Sequence, residues 1–334
     1  MVTNLKDRVT IYEVAAAAGV SLATVSRVIN NLDNVKPETK KKVQDAIKRL
    51  GYRPSGLAQA LATSKTTNIG VVIPGANYVY ISNLLHGLTD SASEKGYAIT
   101  LFCTSNEKSA AMTAIDKVIT SHVDGVVIFD DELDEDDVQK ITGYQVPVVV
   151  VNNKIENKEK IASITFGYEH TLREYIIRPR LMNYQKPMYF LKLSGSGRLL
   201  ERLERSFVNT HEEEHKPYSI IEVDDHYESI YQKMSEIFKT THRGYFLCYR
   251  DSIAMAVLNA ARDNGLRVPE DIEILSLIGT KYASLVRPKI SNMSIDMYQV
   301  GLTAMDMLVK LLKGDTYLSR IKIESKYIEL DSTK

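Results

Sequence analysis

Residues 20–30 read VSLATVSRVIN, and this stretch decides the fold of the N-terminal part of the chain. Val25, Val28 and Ile29 stand at i, i+3 and i+4, which is the spacing of one face of a helix. We expect this apolar face to be buried against neighbouring helices. The opposite face is short and mostly uncharged, and it consists of Ala23, Ser26, Arg27 and Asn30. A helix with such an outer face suits a groove.

A second helix is predicted just ahead of this stretch. Thr10 and Glu13 have the spacing of a capping box, and an apolar stripe then runs to a break at Gly19. Ser21 is placed to cap the helix that follows. Two helices joined by a tight turn form a helix-turn-helix, in which the second helix enters the major groove of DNA.

A third helix follows. Pro37 stands where the first turn of a helix tolerates proline, and apolar residues then recur at helical spacing until Gly51. Residues 1–53 are therefore predicted to form a small DNA-binding head. Residues 54–67 are predicted to hold at most two helical turns, too short to be stable alone in water, followed by a polar linker.

Charge is divided unevenly along the chain, although the formal net charge is zero. Residues 1–65 hold 11 Lys and Arg against 5 Asp and Glu, whereas the rest holds 31 against 37. The first part is therefore basic by about six charges and the second acidic by the same amount. Binding to the phosphates of a nucleic acid requires an asymmetry of this kind.

Length and composition indicate a globular protein of more than one domain. The chain has 334 residues, of which 44% are hydrophobic and 25% charged. The N-terminus has no apolar segment of a signal peptide, and no later stretch approaches the roughly 18 apolar residues of a membrane helix, so a cytoplasmic location is expected. Cys103 and Cys248 each lie in an apolar run and are predicted to be reduced and buried. The seven histidines lack ligand spacing, and neither a metal nor a cofactor is predicted.

From residue 68 onward, apolar runs alternate with stretches of helical periodicity. This alternation predicts parallel sheets flanked by helices, and because it occurs twice it predicts a two-lobed α/β body over 68–334. The predicted strands are IGVVIP, YAITLF, GVVIF and VPVVVV, then IASITF, MYFLKL, YSIIEV, GYFLCY and IEILSL. The predicted helices are 82–95, 110–121, 136–141, 168–177, 199–211, 227–238 and 252–264.

Two polar segments of the body could be read as ligand sites. The acidic run DDELDEDD at 130–137 lacks the Gly and the terminal Glu of a calcium-binding EF-hand loop, and it is predicted to be a loop that leads into a helix. The run SGSGR at 194–198 contains neither GxGxxG nor GxxxxGK. It is predicted to be a plain turn between a strand and a helix.

Three strings at the N-terminus together resemble the head of the LacI/GalR family of bacterial transcription regulators. They are TIYEVAAAAGVSLATVSRVIN at 10–30, NVKPETKKKVQDAIKRLGYRP at 34–54 and GLAQALAT at 56–63. RVPEDIEILS, LVRPKIS, YQVGLTAM and IELDSTK resemble the catabolite control protein branch of that family. The resemblance implies a periplasmic-binding-protein-like body, with one lobe at about 68–164 and 293–322 and the other at about 165–292 and 323–331.

The resemblance also implies a homodimer that binds a double-stranded DNA operator. The residues implied to contact DNA are Thr10, Tyr12, Ser21, Leu22, Ala23, Thr24, Ser26, Arg27, Asn30, Ala58 and Leu61. Arg27 is expected to contact a base edge. Leu61, with Ala58, occupies the place of the hinge leucine that wedges between base pairs in the minor groove. Without the resemblance, Leu61 would be read as an ordinary buried leucine.

The pocket motifs of sugar-responsive family members are altered in this sequence. Gly75 follows the proline of the first body strand where those members have aspartate, Leu203 stands in place of an arginine, and Ile278 stands in place of a second aspartate. Asp251, in the string YRDSIA, still matches the N-D-x-x-A motif of the family. Sugar hydroxyls need buried polar partners, so typical sugar induction is not expected. Tyr78, Tyr80 and Asp251 are the predicted lining of a cleft for an unidentified effector.

Control by a protein partner is a feature of the catabolite control branch. The resemblance implies docking of a serine-phosphorylated phosphocarrier protein through an acidic residue and an arginine, which are replaced here by Gln299 and Asp306. Tyr298 and Lys310 complete the candidate partner surface. A carboxylate near a phosphoserine repels it, so weak or absent phosphocarrier binding is predicted.

Two other classes of function compete with that of a DNA-binding regulator. One is a binding protein that senses a small molecule and whose head is vestigial, and the other is an enzyme that uses the α/β body. No motif places a nucleophile beside a base or pairs two carboxylates, so an enzyme is not expected. Neither alternative explains the head.

Overall fold

The computed structural model describes residues 9–30, 34–53, 65–76, 78–105, 108–131, 133–153, 155, 159–183, 186–194 and 197–334. The chain divides into two compact units, residues 1–67 and residues 68–334. We call the first unit the head and the second unit the body.

The head consists of three helices around a small apolar core. They are α1 (Ile11–Ala18), α2 (Leu22–Ile29) and α3 (Pro37–Leu50). The chain bends by 104° between α1 and α2, which is within the range of a helix-turn-helix. Each helix contributes two buried residues to the core, namely Val14, Ala15, Val25, Val28, Val43 and Ala46. The predicted three-helix head is confirmed.

The ends of α1 and α2 carry the predicted caps. The Thr10 hydroxyl accepts a hydrogen bond from the Glu13 backbone N–H at 3.4 Å, and the Glu13 carboxylate accepts one from the Thr10 backbone N–H at 2.7 Å. The latter bond lowers the pKa of Glu13. Gly19 ends α1 at φ +65°, a conformation that few residues other than glycine adopt. The Ser21 hydroxyl then accepts a hydrogen bond from the Thr24 backbone N–H at 3.2 Å.

No single helix among the described residues is long and apolar enough to span a membrane. Only α1 and α2 taken together, with the bend between them, reach the required length and hydropathy.

The body contains two six-stranded sheets, as the repeated alternation predicted. The first has the order β11-β5-β4-β3-β1-β2 and is parallel in every pairing. The second has the order β12-β10-β9-β8-β6-β7, with only β12 antiparallel to its neighbour. The strands are β1 (Asn68–Ile73), β2 (Ala98–Cys103), β3 (Gly125–Ile128), β4 (Val148–Val151), β5 (Ile161–Phe166), β6 (Met188–Leu193), β7 (Tyr218–Val223), β8 (Gly244–Arg250), β9 (Ile272–Ile278), β10 (Ser291–Ser294), β11 (Arg320–Ile323) and β12 (Lys326–Ile328).

Helices connect and flank these strands. They are α4 (Val79–Glu94), α5 (Lys108–Thr120), α6 (Glu135–Gly143), α7 (Tyr168–Thr171), α8 (Arg178–Met182), α9 (Arg198–Glu213), α10 (Tyr227–Phe238), α11 (Asp251–Asp263), α12 (Lys281–Leu285) and α13 (Met297–Lys313). A π-helical segment, Leu172–Ile177, joins α7 to α8. The helix predicted at 168–177 therefore continues to Met182, because Pro179 lies in the first turn of α8, where its missing N–H is tolerated.

The chain crosses between the two sheets three times, so each sheet with its flanking helices forms one lobe. The crossings lie after β5, between β10 and α13, and between β11 and β12. The boundaries expected near residues 164, 292 and 322 each fall inside a strand. Hydrogen bonding to neighbouring strands keeps each of these strands whole within one sheet, which moves the crossings a few residues toward the C-terminus.

Helices α4 and α13 of the first lobe pack unusually close together. A Cβ atom built on Gly87 would lie 2.1 Å from the backbone oxygen of Tyr298, and one built on Gly301 would lie 2.3 Å from the backbone oxygen of Leu84. Both glycines are buried. The contact between the two backbones therefore requires that both positions lack a side chain.

The two cysteines differ in exposure. Cys248 is fully buried in β8, and burial raises the pKa of its thiol. Cys103 is exposed, so the prediction of burial was wrong for this residue. The reason is its place on β2, the edge strand of the first sheet, where Phe102 points inward and Cys103 points outward.

Candidate DNA-reading face and interlobe cavity

The outward face of α2 has the residues that its periodicity predicted. Ala23, Arg27 and Asn30 are exposed, whereas Val25 and Val28 on the opposite face are 0% and 5% exposed. The amide of Asn30 donates to the Ser26 hydroxyl at 3.4 Å, which holds that side chain along the helix. The face is therefore presented on a helix whose other side is fixed by the core. We call it the reading face.

Two apolar side chains beside the reading face are also exposed. Tyr12 is 68% exposed and Leu22 is 37% exposed. Thr10 and Ser21 are exposed as well, but their hydroxyls cap α1 and α2. The two hinge residues of the predicted set, Ala58 and Leu61, lie outside the described residues.

A cavity of about 150 Å³ lies between the lobes of the body, at the carboxyl ends of the strands. This is where open parallel α/β sheets bind ligands. Tyr78 and Tyr80 line the cavity, as predicted, and their rings stack at a centroid distance of 5.7 Å. Tyr80 also meets Phe129 edge to face at 6.1 Å. One wall of the cavity is therefore aromatic.

Asp251 is not among the residues that line this cavity, so its part in an effector site stays a prediction. Its carboxylate accepts hydrogen bonds from the backbone N–H and the hydroxyl of Thr280, the former at 3.0 Å. Asp251 is 5% exposed and begins α11. It therefore joins the start of α11 to the loop after β9, and its neighbour Arg250 is the residue that lines the cavity.

Besides Asp130, three further charged residues line the cavity without having been predicted there. Arg250 ends β8, Asp225 follows β7 and Asp131 follows β3. Arg250 forms an ion pair with Asp225, and its guanidinium lies 4.8 Å from the centre of the Tyr78 ring. All three stand at the carboxyl ends of parallel strands, and that position in the sequence could have identified them.

Hydrogen bonds join the two lobes beside the cavity. The Asp131 carboxylate in the first lobe accepts from the Leu199 backbone N–H in the first turn of α9, at 3.1 Å. Burial raises the pKa of Asp131, and this hydrogen bond opposes the rise. Gly197 allows the approach, since a Cβ atom there would lie 2.9 Å from the Cβ of Asp131. Arg202 of α9 donates to the backbone oxygen of Asn152 at 3.4 Å.

Phenol groups form part of the cavity lining. Burial raises the pKa of Tyr80, Tyr168 and Tyr249, so all three hydroxyls stay protonated near neutral pH. Each of the three therefore offers one donor and an acceptor oxygen. Of the two apolar replacements noted in the sequence, Ile278 lines the cavity, whereas Leu203 is fully buried in the core of the second lobe.

The acidic run at 130–137 forms further contacts besides that of Asp131. Asp130 accepts from the Thr104 hydroxyl, and Asp134 caps α6 in a reciprocal capping box with Asp137. Among the residues that the structure describes, no group of three or more His, Cys, Asp or Glu side chains is placed to hold a metal ion. In the SGSGR run, Gly197 is the N-cap of α9.

The candidate partner surface lies on α13. The Tyr298 hydroxyl donates to Asp90 of α4 at 3.1 Å, and Gln299 is exposed. Asp306 and Lys310 form an ion pair at 2.8 Å across one turn of the helix. Lys310, a candidate for binding the phosphate of a partner, is therefore paired with Asp306, the residue that replaces the arginine.

Two family models match the chain. The model described as "Bacterial regulatory proteins, lacI family" matches residues 10–55, and the model of a periplasmic binding protein-like domain matches residues 183–333. The first match covers α1, α2 and α3.

Curated relatives are similar over nearly the whole chain. Catabolite control protein A of Priestia megaterium is 32% identical over 322 residues, which covers 94% of this chain and 95% of the relative. The HTH-type transcriptional regulator pepR1 of Lactobacillus delbrueckii subsp. lactis is 32% identical, and the match covers 97% of this chain and 96% of the relative.

Solved structures share the fold. The lac repressor dimer bound to operator and an anti-inducer has a TM-score of 0.84 at 23% identity, covering 98% of this chain and 99% of that one. The transcription regulator CcpA of Lactococcus lactis has a TM-score of 0.65 at 22% identity, covering 80% of this chain and 99% of that one. Together with the helix-turn-helix geometry of the head, the sequence relatives establish that this chain belongs to the lacI family of bacterial regulatory proteins, as a DNA-binding transcriptional regulator similar to catabolite control protein A.

Proposed function

We propose that this chain acts as a homodimer on a pseudo-palindromic DNA operator, and that it reads bases with the face of α2 that carries Ala23, Arg27 and Asn30. The observation that carries the proposal is the exposure of this face on a helix whose opposite side is buried. An α-helix fits the major groove, where every base pair presents a distinct pattern of donors and acceptors.

The twofold part of the proposal follows from the size of the reading face. A helix of eight residues contacts only a few base pairs, so two heads are needed for a site of useful specificity. A dimer related by twofold symmetry requires two inverted half-sites. The solved lac repressor, which shares the fold, is described as a dimer bound to operator.

Selection of binding sites from random DNA by the full-length chain tests this proposal. We expect an enriched motif of two inverted half-sites, with the same number of base pairs between them in all the recovered sequences. Recovery of a single half-site would contradict the dimer. Failure to enrich any motif, together with ligand binding by the body, would favour a small-molecule-sensing binding protein with a vestigial head.

The hinge is part of the same proposal. Leu61 is proposed to insert at the centre of the operator, where a flexible base step costs the least to unstack. Leu61 lies outside the described residues, so support for this role comes from the resemblance of GLAQALAT to the family alone. A flexible step at the centre of the selected motif is the corresponding expectation.

We further propose that regulation does not depend on the serine-phosphorylated phosphocarrier. An arginine binds a phosphate through a fork of N–H donors, whereas the residue at this place is Asp306, whose negative charge is directed at Lys310. The ion pair reduces the positive charge that Lys310 could offer to a phosphoserine.

Asp306→Arg is expected to create or strengthen phosphocarrier binding. The change removes a repulsive carboxylate and releases Lys310, so the gain is about 1.5–3 kcal/mol for a charge-assisted hydrogen bond. Calorimetry of the purified chain with the phosphorylated carrier measures it. Asp116→Arg, the same charge reversal on the exposed side of α5, is the control and should leave binding unchanged. Micromolar or tighter binding by the unmodified chain would contradict the proposal.

A further inference from the structure

We propose that the cavity between the lobes binds a small, planar, uncharged heteroaromatic molecule with a hydrogen-bond acceptor on one edge and an N–H donor on another. This inference rests on the proposed function, since it names the class of effector that the body of such a regulator would sense. Four observations lead to it: the aromatic walls, an unsatisfied donor, an available carboxylate and the size of the space.

The first observation is the number of rings around the cavity. Six aromatic side chains line it, namely Tyr78, Tyr80, Phe129, Phe166, Tyr168 and Tyr249. Tyr78 and Tyr80 stack on each other at the cavity wall, and a flat ligand gains most from offset stacking or edge contacts with aromatic rings.

Two of the polar side chains of the cavity are already engaged within the protein. The Asp130 carboxylate accepts from Thr104, and the Asn152 side-chain oxygen accepts from Arg202 at 3.5 Å. Buried hydroxyls that find no partner oppose binding.

The second observation is a buried donor that lacks an acceptor. Arg250 is only 8% exposed, and its Nε–H meets no acceptor among the residues that the structure describes. The ion pair with Asp225 uses the terminal Nη2 nitrogen instead. A carbonyl oxygen or a ring nitrogen of a ligand would satisfy the Nε–H, and such unsatisfied buried groups are uncommon in folded proteins.

The third observation is the carboxylate of Asp131. One of its oxygens accepts from the Leu199 backbone N–H, and a carboxylate has room for further donors. An N–H on the second edge of a ring would complete its hydrogen bonding. Because Arg250 is positive while Asp130, Asp131 and Asp225 are negative, a ligand of either charge would meet a like charge. An uncharged ligand avoids both repulsions.

The fourth observation is size. A cavity of about 150 Å³ is comparable to an apolar protein cavity that holds one benzene ring. One ring or two fused rings fit this space with little rearrangement, whereas a disaccharide does not. The aromatic lining, the two polar groups Arg250 and Asp131, and the volume of the cavity thus all favour the same class of molecule.

Binding of hypoxanthine, uracil, nicotinamide and 2-pyridone to the full-length chain tests the inference. Glucose serves as the non-planar probe, and benzoate and benzylamine serve as charged rings. The chain has 19 tyrosines and no tryptophan, so tyrosine fluorescence reports stacking, with calorimetry as the second measurement. We expect at least one neutral heterocycle to bind with micromolar Kd, and the other three probes to bind at least tenfold more weakly.

Two variants locate the binding. Tyr80→Leu removes a stacking ring, and Arg250→Lys keeps the charge but removes the Nε–H; each should weaken binding of the best heterocycle at least tenfold. Tyr227→Leu is the matched control, because Tyr227 is 45% exposed and is not part of the cavity lining. It should leave binding unchanged. Thermal unfolding of each variant confirms that the body remains folded.

The outcomes separate this inference from the proposed function. If none of the four heterocycles binds, or if glucose or a charged ring binds more tightly, the inference is overturned. Equal binding by the Tyr80→Leu and Arg250→Lys variants would also overturn it. Operator selection by the same preparation without ligand is measured in parallel, and it tests the proposed function independently of any ligand.

Discussion

Arg27→Ala should weaken operator binding by about 1–3 kcal/mol, which is about five- to 150-fold in Kd, and should relax base preference at one position of each half-site. Arg27 is exposed on α2, at i+4 from Ala23, on the side of the helix opposite the core. A bidentate contact from arginine to guanine is the commonest specific pairing in the major groove. Selection on random DNA and titration of the selected operator measure the two effects.

Lys48→Ala is the matched control for the loss of one positive charge in the head. Lys48 is exposed in the last turn of α3 and does not belong to the reading face. Its loss should lower the affinity for all DNA sequences alike. It should also reduce the slope of log K against log salt concentration by about one. If Arg27→Ala returned the same motif as the unmodified chain, the base contact would have to be assigned to another residue.

Gly87→Ala should destabilise the body by about 2 kcal/mol, since overpacking of a core usually costs about 1–3 kcal/mol. The added Cβ would lie 2.1 Å from the backbone oxygen of Tyr298, and neither backbone can yield without moving α4 away from α13. We expect a lower urea concentration at the midpoint of unfolding, and tyrosine fluorescence measures that midpoint.

Gly143→Ala is the control with the opposite expected sign. Gly143 is the last residue of α6, and no atom lies within 4 Å of a Cβ built there. Alanine has the higher helix propensity by about 1 kcal/mol in a helix interior, so this variant should be neutral or slightly more stable. Equal destabilisation by both variants would show that the helix contact is not the cause.

The sequence predicted those parts of the fold that depend on neighbours along the chain. The capping box of Thr10 and Glu13, the turn at Gly19 and the alternation of strands and helices are all local patterns, and they are confirmed. The close contact at Gly87 and Gly301 was not predicted, because nothing in either helix records which backbone lies opposite.

The candidate site divides in the same way. Periodicity alone separated the reading face of α2 from its buried face, since both depend on one helix. The cavity brings together residues from the ends of several strands, so Asp131, Asp225 and Arg250 could be found only by combining strand order with position. Asp251, the residue after Arg250, accepts a hydrogen bond from the Thr280 backbone N–H and is not part of the cavity lining.

The difference in exposure between the two cysteines allows selective labelling of one thiol in the unmodified chain. Thiol reagents react with accessible thiolates, and burial keeps Cys248 both inaccessible and protonated. Cys103, on the edge strand of the first lobe, is the exposed one. A maleimide dye would therefore attach at one defined place in each chain without mutagenesis. A pair of such dyes in a homodimer would report the distance between two first lobes as DNA or a small molecule is added.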